Sequence, residues 1–263
     1  MLILTEIWIY PIKSLGGIRL DQSEVLGKGL RYDRRWMLVD GQNRFFTQRE
    51  FPDMALFTIT QHGSLFTITF KNESLLLDSE AAVASDPIEC IVWNDSVLAH
   101  EVSPAHSSWI SERLGTSCKL VAFPEKNPRP VPLEYSVNNE SVSLADGYPV
   151  LIIGQSSLDD LNNRLPSPIL MNRFRPNFVF TGAPSFAEDE WKEFSIGEVK
   201  FKVVKPCIRC VMTLVNQETA ALEKEPLRTL ATFREFDKKI RFGMNVLVLT
   251  EGQVKEKDLI RLN

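Results

Sequence analysis

The chain has 263 residues, and at about 100–200 residues per domain that length allows one large domain or two modest ones; two is the reading adopted. Apolar residues make up 44% and charged residues 24%, an ordinary globular balance that excludes disorder as the main state. With 30 Lys and Arg against 34 Asp and Glu, the net charge is -4, so no global field draws the chain to a nucleic-acid polymer or an anionic membrane, and any bound anion must be held by local cations.

The run from Met1 to Tyr10 lacks a basic leader, carries Glu6 and meets Pro11 too early for a signal or spanning segment. It reads as the first strand of a cytoplasmic protein. Alternating or β-branched apolar runs then predict strands at 18–26, 35–40, 43–49, 55–61, 64–71 and 88–93. Asp40-Gly41, His62-Gly63 and Lys71-Asn72 punctuate them as hairpin turns. A helix is expected over 104–114, capped by Ser103 and stopped by Gly115, followed by a strand at 117–123. Four prolines between Pro124 and Pro132 impose an extended loop, compatible with a lid or a plain connector. Beyond it the pattern predicts strands at 149–153, 177–181, 198–204, 211–215 and 244–250, with helices at 157–165, capped by Ser156, and at 226–235. Strands with a few interspersed helices give a mainly β, α+β class built on β-barrels. No GxGxxG or GxxxxGK[ST] motif supports a nucleotide-binding α/β fold.

Four cysteines, Cys90, Cys118, Cys207 and Cys210, are too sparse for a disulfide framework and imply a reducing compartment. Lys205-Pro-Cys-Ile-Arg-Cys210 places two thiols three apart between two cations, which favour the thiolate a metal needs. A redox dithiol would open a helix, whereas this pair joins two predicted strands. Structural zinc wants a second ligand pair, and none has matching spacing. Two packed thiols stand level with a metal ligand on the motif alone. Lys13 and Ser14 at the tip of Tyr10-Pro-Ile-Lys-Ser14 suit an oxyanion, although a solvated turn is the plainer reading. In Asp33-Arg-Arg-Trp36, strand alternation lets only one of Arg34 and Arg35 face a given site. In Asn172-Arg-Phe-Arg-Pro-Asn177, an arginine fork suits phosphate and Asn177 offers donor and acceptor to a heterocycle edge; a structural turn fits equally. The three histidines match no nucleophile motif.

Taken in register, Ile9-Tyr-Pro-Ile-Lys-Ser14, Asp33-Arg-Arg-Trp36, Ala145-Asp-Gly-Tyr-Pro149, Asn172-Arg-Phe-Arg-Pro-Asn177 and Pro206-Cys-Ile-Arg-Cys210, followed by Thr213 and Leu214, resemble the MOSC family. The resemblance is to the branch with an N-terminal MOSC β-barrel domain that includes the mitochondrial amidoxime-reducing component. It spans nearly the whole chain and implies an N-terminal MOSC-type barrel domain over 1–105, with strands from 1–35 packing on a cofactor-binding MOSC domain over 106–263. It implies a molybdenum cofactor, the metal carried by a pyranopterin, with Cys210 as the metal-ligating thiolate. By the same carry-over Lys13, Ser14, Arg34, Arg175 and Asn177 hold the pterin and its phosphate, and Asp146 lies beside metal or pterin as a catalytic residue. Gly147 and Tyr148 replace the small hydroxyl or alanine residues that follow this aspartate in relatives nearest the mitochondrial protein, so hydroxyl contacts do not carry over.

The function implied is reduction of small N-hydroxylated compounds: hydroxylamines, amidoximes or N-hydroxy nucleobases. No iron-sulfur cluster motif follows Cys210, so a separate flavoprotein or iron-sulfur protein is expected to supply electrons. Cys207 is expected to be a packed thiol. The alternatives are a molybdenum cofactor or sulfur carrier without reductase activity, and a non-catalytic β-barrel binding module.

Overall fold

The computed structural model describes residues 1–81 and 85–262. In chain order the strands are β1 (Leu2–Ile9), β2 (Ile18–Leu20), β3 (Gln22–Leu26), β4 (Gly29–Leu30), β5 (Trp36–Val39), β6 (Phe57–His62), β7 (Leu65–Phe70), β8 (Glu73–Asp78), β9 (Pro87–Val92), β10 (Asp95–Glu101) and β11 (Lys119–Ala122). They continue as β12 (Val150–Gly154), β13 (Phe178–Thr181), β14 (Glu193–Ile196), β15 (Val199–Ile208), β16 (Glu235–Phe236), β17 (Lys239–Val248), β18 (Gly252–Lys255) and β19 (Leu259–Leu262). The helices are α1 (Pro104–Leu114), α2 (Gln155–Asn162) and the single turn α3 (Leu227–Leu230). The fold is mainly β with few helices, as the apolar periodicity predicts. No helix among the described residues is long and apolar enough to cross a membrane.

Seven strands close into a barrel in the order β12-β13-β1-β19-β14-β15-β17, and β17 returns to β12 through Val150↔Val246 and Ile152↔Met244. Neighbours run antiparallel except β12 and β13, which are parallel and so need the long crossover containing α2. Alternation along these strands sends Ile7, Ile9, Phe178, Phe194, Phe201 and Val246 into one fully buried cluster. Phe178 and Phe201 meet edge to face with centroids 5.5 Å apart, and each such ring contributes about 1.5–3 kcal/mol through burial. The chain's first strand thus sits between two strands from its second half, β13 and β19.

A second lobe contains the sheet β5-β11-β10-β9 and the meander β6-β7-β8. Ile110 of α1 is buried with Phe57, Phe66 and Leu120. Ser103 accepts the His106 N–H at the start of α1, and Gly115 ends it at φ 66°; both caps were predicted, and glycine takes that conformation without steric penalty. The lobe is stitched to the barrel by the segment after β1: Lys13 N–H donates to Trp36 O at 2.7 Å and Trp36 N–H to Pro11 O at 3.1 Å.

Four expectations require correction. Residues 43–49 form isolated bridges, Val39↔Phe45 and Arg44↔Ile91, instead of a strand. Residues 211–215 are a 3-10 turn, Val211–Leu214, that follows β15, so the cysteine pair does not join two strands. The helix placed at 157–165 starts at Gln155 with Gly154 as its N-cap, because the Ser156 hydroxyl is drawn away to Ala183 O. The helix placed at 226–235 is one turn, since Asp237 and Lys238, at φ 51° and 60°, form a two-residue hairpin turn that commits Glu235 to β16. Strands β4, β8, β10, β14, β16, β18 and β19 were not foreseen; β8, for example, buries only Leu77, too little apolar alternation to register.

Candidate functional site

At one mouth of the barrel, the end of β1, the starts of β12 and β13 and the end of β15 come together. The ladder between β15 and β17 slips twice, between Val203 and Lys205 and between Pro206 and Ile208. Bulges bend a strand and re-aim its side chains, and these two turn Cys207 and Cys210 into a cleft. All seven residues that the sequence singled out, Lys13, Ser14, Arg34, Asp146, Arg175, Asn177 and Cys210, line this one cleft of about 820 Å³, part of it open to solvent.

Tyr10, directly after β1, is the pillar of the site. The guanidinium carbons of Arg34 and Arg175 lie 4.3 and 4.1 Å from its ring centroid. Each guanidinium thereby gains a cation–π contact with the one ring. Gly17 makes room, because a Cβ there would meet Tyr10 Cε1 at 2.5 Å. The phenol donates to Pro176 O at 3.1 Å, and burial pushes its pKa up to about 12. Arg34 donates to Asp33 Oδ2 at 2.5 Å, to Asn177 Oδ1 at 3.3 Å and to Arg175 O at 3.2 Å. Arg35 turns away to Glu125. The selection between the two arginines comes from a left-handed Arg34 backbone, φ 51°, and not from strand alternation, since β5 begins only at Trp36.

Arg175 differs from Arg34 in a way that matters. It is only 8% exposed, yet its side chain has no hydrogen bond and no ion pair among the described residues. Burial, aided by the charge of Arg34, lowers its pKa to about 10. A desolvated, unpaired cation facing a cleft calls for an anion. Ser14, Arg34 and Arg175 all have positive φ, 67°, 51° and 55°, a conformation costing of order 1–3 kcal/mol per residue that persists where surrounding contacts over-determine it and that clusters at functional sites. Asn177 accepts from Leu151 N–H as well as from Arg34, and donates to Trp8 O. Its amide is therefore largely engaged in tying β1, β12 and Arg34 together.

Across the cleft, Lys13 donates to Leu144 O at 2.8 Å and to Asp146 Oδ1 at 2.6 Å. Burial lowers the Lys13 pKa against the pull of Asp146. For Asp146, burial works to raise the pKa but is overcome by Lys13, Arg49 and the Trp93 N–H, which hold the carboxyl well below its usual range. Its side chain nevertheless remains 62% exposed through the cleft. Trp93 Nε1 donates to the same Oδ1 at 3.2 Å, which leaves Oδ2 without a hydrogen-bond partner among the described residues. Arg129, 2% exposed, fixes the Asp146 loop by donating to Ser143 O and Ala145 O. Through Arg129 the proline-rich segment braces the Asp146 loop without itself lining the cleft.

The thiols are less alike than their spacing suggests. Cys207 lines the cleft and is not simply packed; its Sγ accepts from Arg209 Nη1 at 2.8 Å. Burial pushes its pKa up while Arg209 opposes the rise. Lys205, expected to assist the thiols, points instead at the rings of Tyr135 and Tyr148, 4.9 and 5.5 Å away. Cys210 is exposed to the cleft and has no such partner.

Sequence reasoning missed Arg49, Trp93, Arg129 and Arg173. Arg173 sat inside a flagged motif and holds Glu223 at 2.5 Å; the others carry no spacing signal. The described residues contain no group of three or more His, Cys, Asp or Glu side chains able to hold a metal, so a metal here needs ligands beyond the protein's own. One accessible thiol beside an unpaired buried guanidinium fits a metal that arrives on an organic, phosphate-bearing group.

Comparison with known proteins gives the family. The family profile described as MOSC domain matches residues 139–261, and that described as MOSC N-terminal beta barrel domain matches residues 1–117. The chain is 33% identical over 244 residues to mitochondrial amidoxime-reducing component 1 of Mus musculus, covering 89% of this chain and 72% of that protein. It is 31% identical over 277 residues to the component 1 protein of Homo sapiens, covering 98% and 82%. Against mitochondrial amidoxime reducing component 2 of Bos taurus it is 32% identical over 250 residues, covering 89% and 73%.

Proposed function

This chain belongs to the MOSC family, in the branch with an N-terminal MOSC β-barrel domain, and from that membership we propose that it is a molybdenum cofactor-dependent oxidoreductase of small N-hydroxylated compounds. Hydroxylamines, amidoximes and N-hydroxy nucleobases are the substrate classes, each N–OH taking up two electrons and two protons to leave N–H and water. The observation that carries the reading is the meeting, in one cleft, of the exposed Cys210 with the buried, unpartnered Arg175.

In this reading the Cys210 thiolate holds the metal, and Arg175, Arg34, Lys13 and Ser14 hold the pterin and its phosphate, with Asn177 orienting Arg34. When bound, the cofactor supplies the oxygen-accepting, two-electron chemistry. The protein supplies position and charge. Asp146, kept ionised by Lys13, accepts a hydrogen bond from the substrate's N–H or O–H through Oδ2 and orients the N–O bond. Electrons come from a separate flavoprotein or iron-sulfur protein.

The test is metal and pterin analysis of protein made in a host that synthesises the cofactor, for wild type and Cys210→Ala, with reductase assays using an artificial electron donor. Near-stoichiometric molybdenum that vanishes in the variant, together with turnover of an amidoxime, supports the proposal. Molybdenum without turnover of any N-hydroxy compound favours the carrier reading, and molybdenum retained by an active Cys210→Ala protein overturns the assignment of the thiol.

A further inference from the structure

The cleft holds more positive charge than a single phosphate-bearing cofactor requires. Of its six lining cations, Lys13 is paired with Asp146, Arg34 with Asp33 and Arg173 with Glu223. Arg209 uses both terminal nitrogens on Cys207 Sγ and Phe174 O. Arg175 and Arg49 remain, and among the described residues neither side chain has a hydrogen bond or an ion pair. Arg175 belongs with the Tyr10 pillar on the barrel. Arg49 comes from the other lobe and has its buried Nε without a partner.

The mounting of Arg49 is unusual. Its guanidinium lies over the Trp93 ring, 4.5 Å from the centroid, and the neighbouring Gln48, fully buried, donates to Ser14 O at 2.7 Å and exchanges hydrogen bonds with Gln217. Trp93 itself occupies the first position of a two-residue turn between paired Val92 and Asp95, at φ 58°. That position of a hairpin normally takes glycine, and a bulky residue there is strained. The indole is held by its N–H on Asp146 and by Phe45, whose ring meets it at 5.0 Å, and it stays 41% exposed. A strained tryptophan that supports a guanidinium without a hydrogen-bond partner, and donates to the carboxylate that this guanidinium helps keep ionised, is a built feature of the rim.

We propose that Arg49, seated on Trp93, binds an anionic oxygen group, carboxylate or phosphate, carried by the substrate itself. This rests on the reading of the cleft as the site of an N-hydroxy reductase, and it narrows the substrate class to N-hydroxylated compounds that bear such a group. A charge-assisted hydrogen bond of this kind corresponds to about tenfold or more in affinity.

The experiment compares kcat/KM for two pairs of substrates, 4-carboxybenzamidoxime against benzamidoxime, and N-hydroxycytidine monophosphate against N-hydroxycytidine. It uses molybdenum-replete wild type, Arg49→Gln and Arg49→Lys, with molybdenum content measured on each preparation. Wild type is expected to prefer the anionic member of at least one pair by about tenfold, and that pair identifies the group as carboxylate or phosphate. Arg49→Gln is expected to bring the ratio to near one with molybdenum retained, and Arg49→Lys to restore part of it. A wild type without preference in either pair, a ratio unchanged in Arg49→Gln, or molybdenum lost from that variant overturns the proposal, the last by making Arg49 a cofactor residue. Calorimetric binding of the product 4-carboxybenzamidine and of cytidine monophosphate separates this inference from its premise. Binding weakened about tenfold by Arg49→Gln, in a protein that reduces no N-hydroxy compound, keeps the anion site and discards the reductase.

Discussion

The two walls of the cleft are organised differently. On the barrel wall Tyr10, Arg34, Arg175 and Cys210 stand at strand ends, locked by a buried ion pair, a shared ring and left-handed backbone at both arginines. On the wall from the second lobe, Arg49 reaches in from a loop, seated on Trp93 at a hairpin tip, the indole still substantially exposed. A rigid wall suits a resident group that must be held in one geometry; a rim on loops suits a ligand that comes and goes. The contrast predicts that substitutions on the two walls fail in different ways.

The largest difference is expected in metal content. Arg175→Gln should reduce bound molybdenum by tenfold or more, because a charge-assisted contact to the phosphate is lost and a buried site is left without its cation. Trp93→Gly should leave molybdenum within about twofold, because glycine relieves the positive-φ strain and the barrel wall is untouched, while the preference for anionic substrates declines. Metal analysis of the two proteins side by side decides the matter, and equal losses would erase the distinction between the walls.

Next in size is stability. Asp33 is fully buried and accepts from Tyr10 N–H as well as from Arg34. Asp33→Asn leaves a buried guanidinium without its counter-charge, a loss of about 3 kcal/mol or roughly 6–12 °C in Tm. Glu125, 53% exposed in its pair with Arg35, offers the contrast: Glu125→Gln should cost less than about 1 kcal/mol. Thermal melts that rank the two the other way would show that the pillar is not a stability element.

This asymmetry also explains what was legible in the sequence. The barrel wall was readable because its residues sit in short runs such as Tyr10-Pro-Ile-Lys-Ser14 and Asn172-Arg-Phe-Arg-Pro-Asn177, where strand ends impose fixed local patterns. The mainly β class followed from alternation on both faces of well-buried strands. Arg49 and Trp93 were silent, because an arginine at the end of a predicted strand and an aromatic at the end of an apolar run match ordinary solvated and packed residues. Only tertiary pairing makes Trp93 the first residue of a turn. The direction of Lys205 was equally beyond the sequence, since the slip of β15 against β17 between Val203 and Lys205 breaks the alternation that would assign its face.

A smaller effect tests the Tyr10 pillar without any cofactor. Inorganic phosphate should raise the Tm of molybdenum-free protein by a few degrees at constant ionic strength, the linkage expected of about 1–2 kcal/mol from one weakly bound anion. Arg175→Gln should abolish the shift. A shift of the same size in that variant would mean the anion binds elsewhere.

The smallest effect compares two carboxyl groups. Asp146 is held below its usual range by Lys13, so what it adds to stability is present above the unfolded carboxyl pKa of about 4 and is lost as pH falls through the lower folded value. Glu188 is the reverse. It is fully buried beneath β12, where Oε1 accepts from Gly154 N–H and the Ser157 hydroxyl. No cation reaches it among the described residues, since nearby Arg234 pairs with Asp189 at 2.5 Å. Burial therefore raises its pKa. A raised carboxyl favours the folded state below the unfolded value, about 4.3 for Glu, and that contribution is lost as pH rises through the folded value. Glu188→Gln keeps the acceptor and removes the charge, so near pH 4 the variant and wild type should melt together. Near pH 8 the variant should be the more stable by about 1 kcal/mol, or 2–4 °C. A gap that is constant with pH, or that opens toward acid, would show that Glu188 is ionised and paired in the folded protein, as Asp146 is.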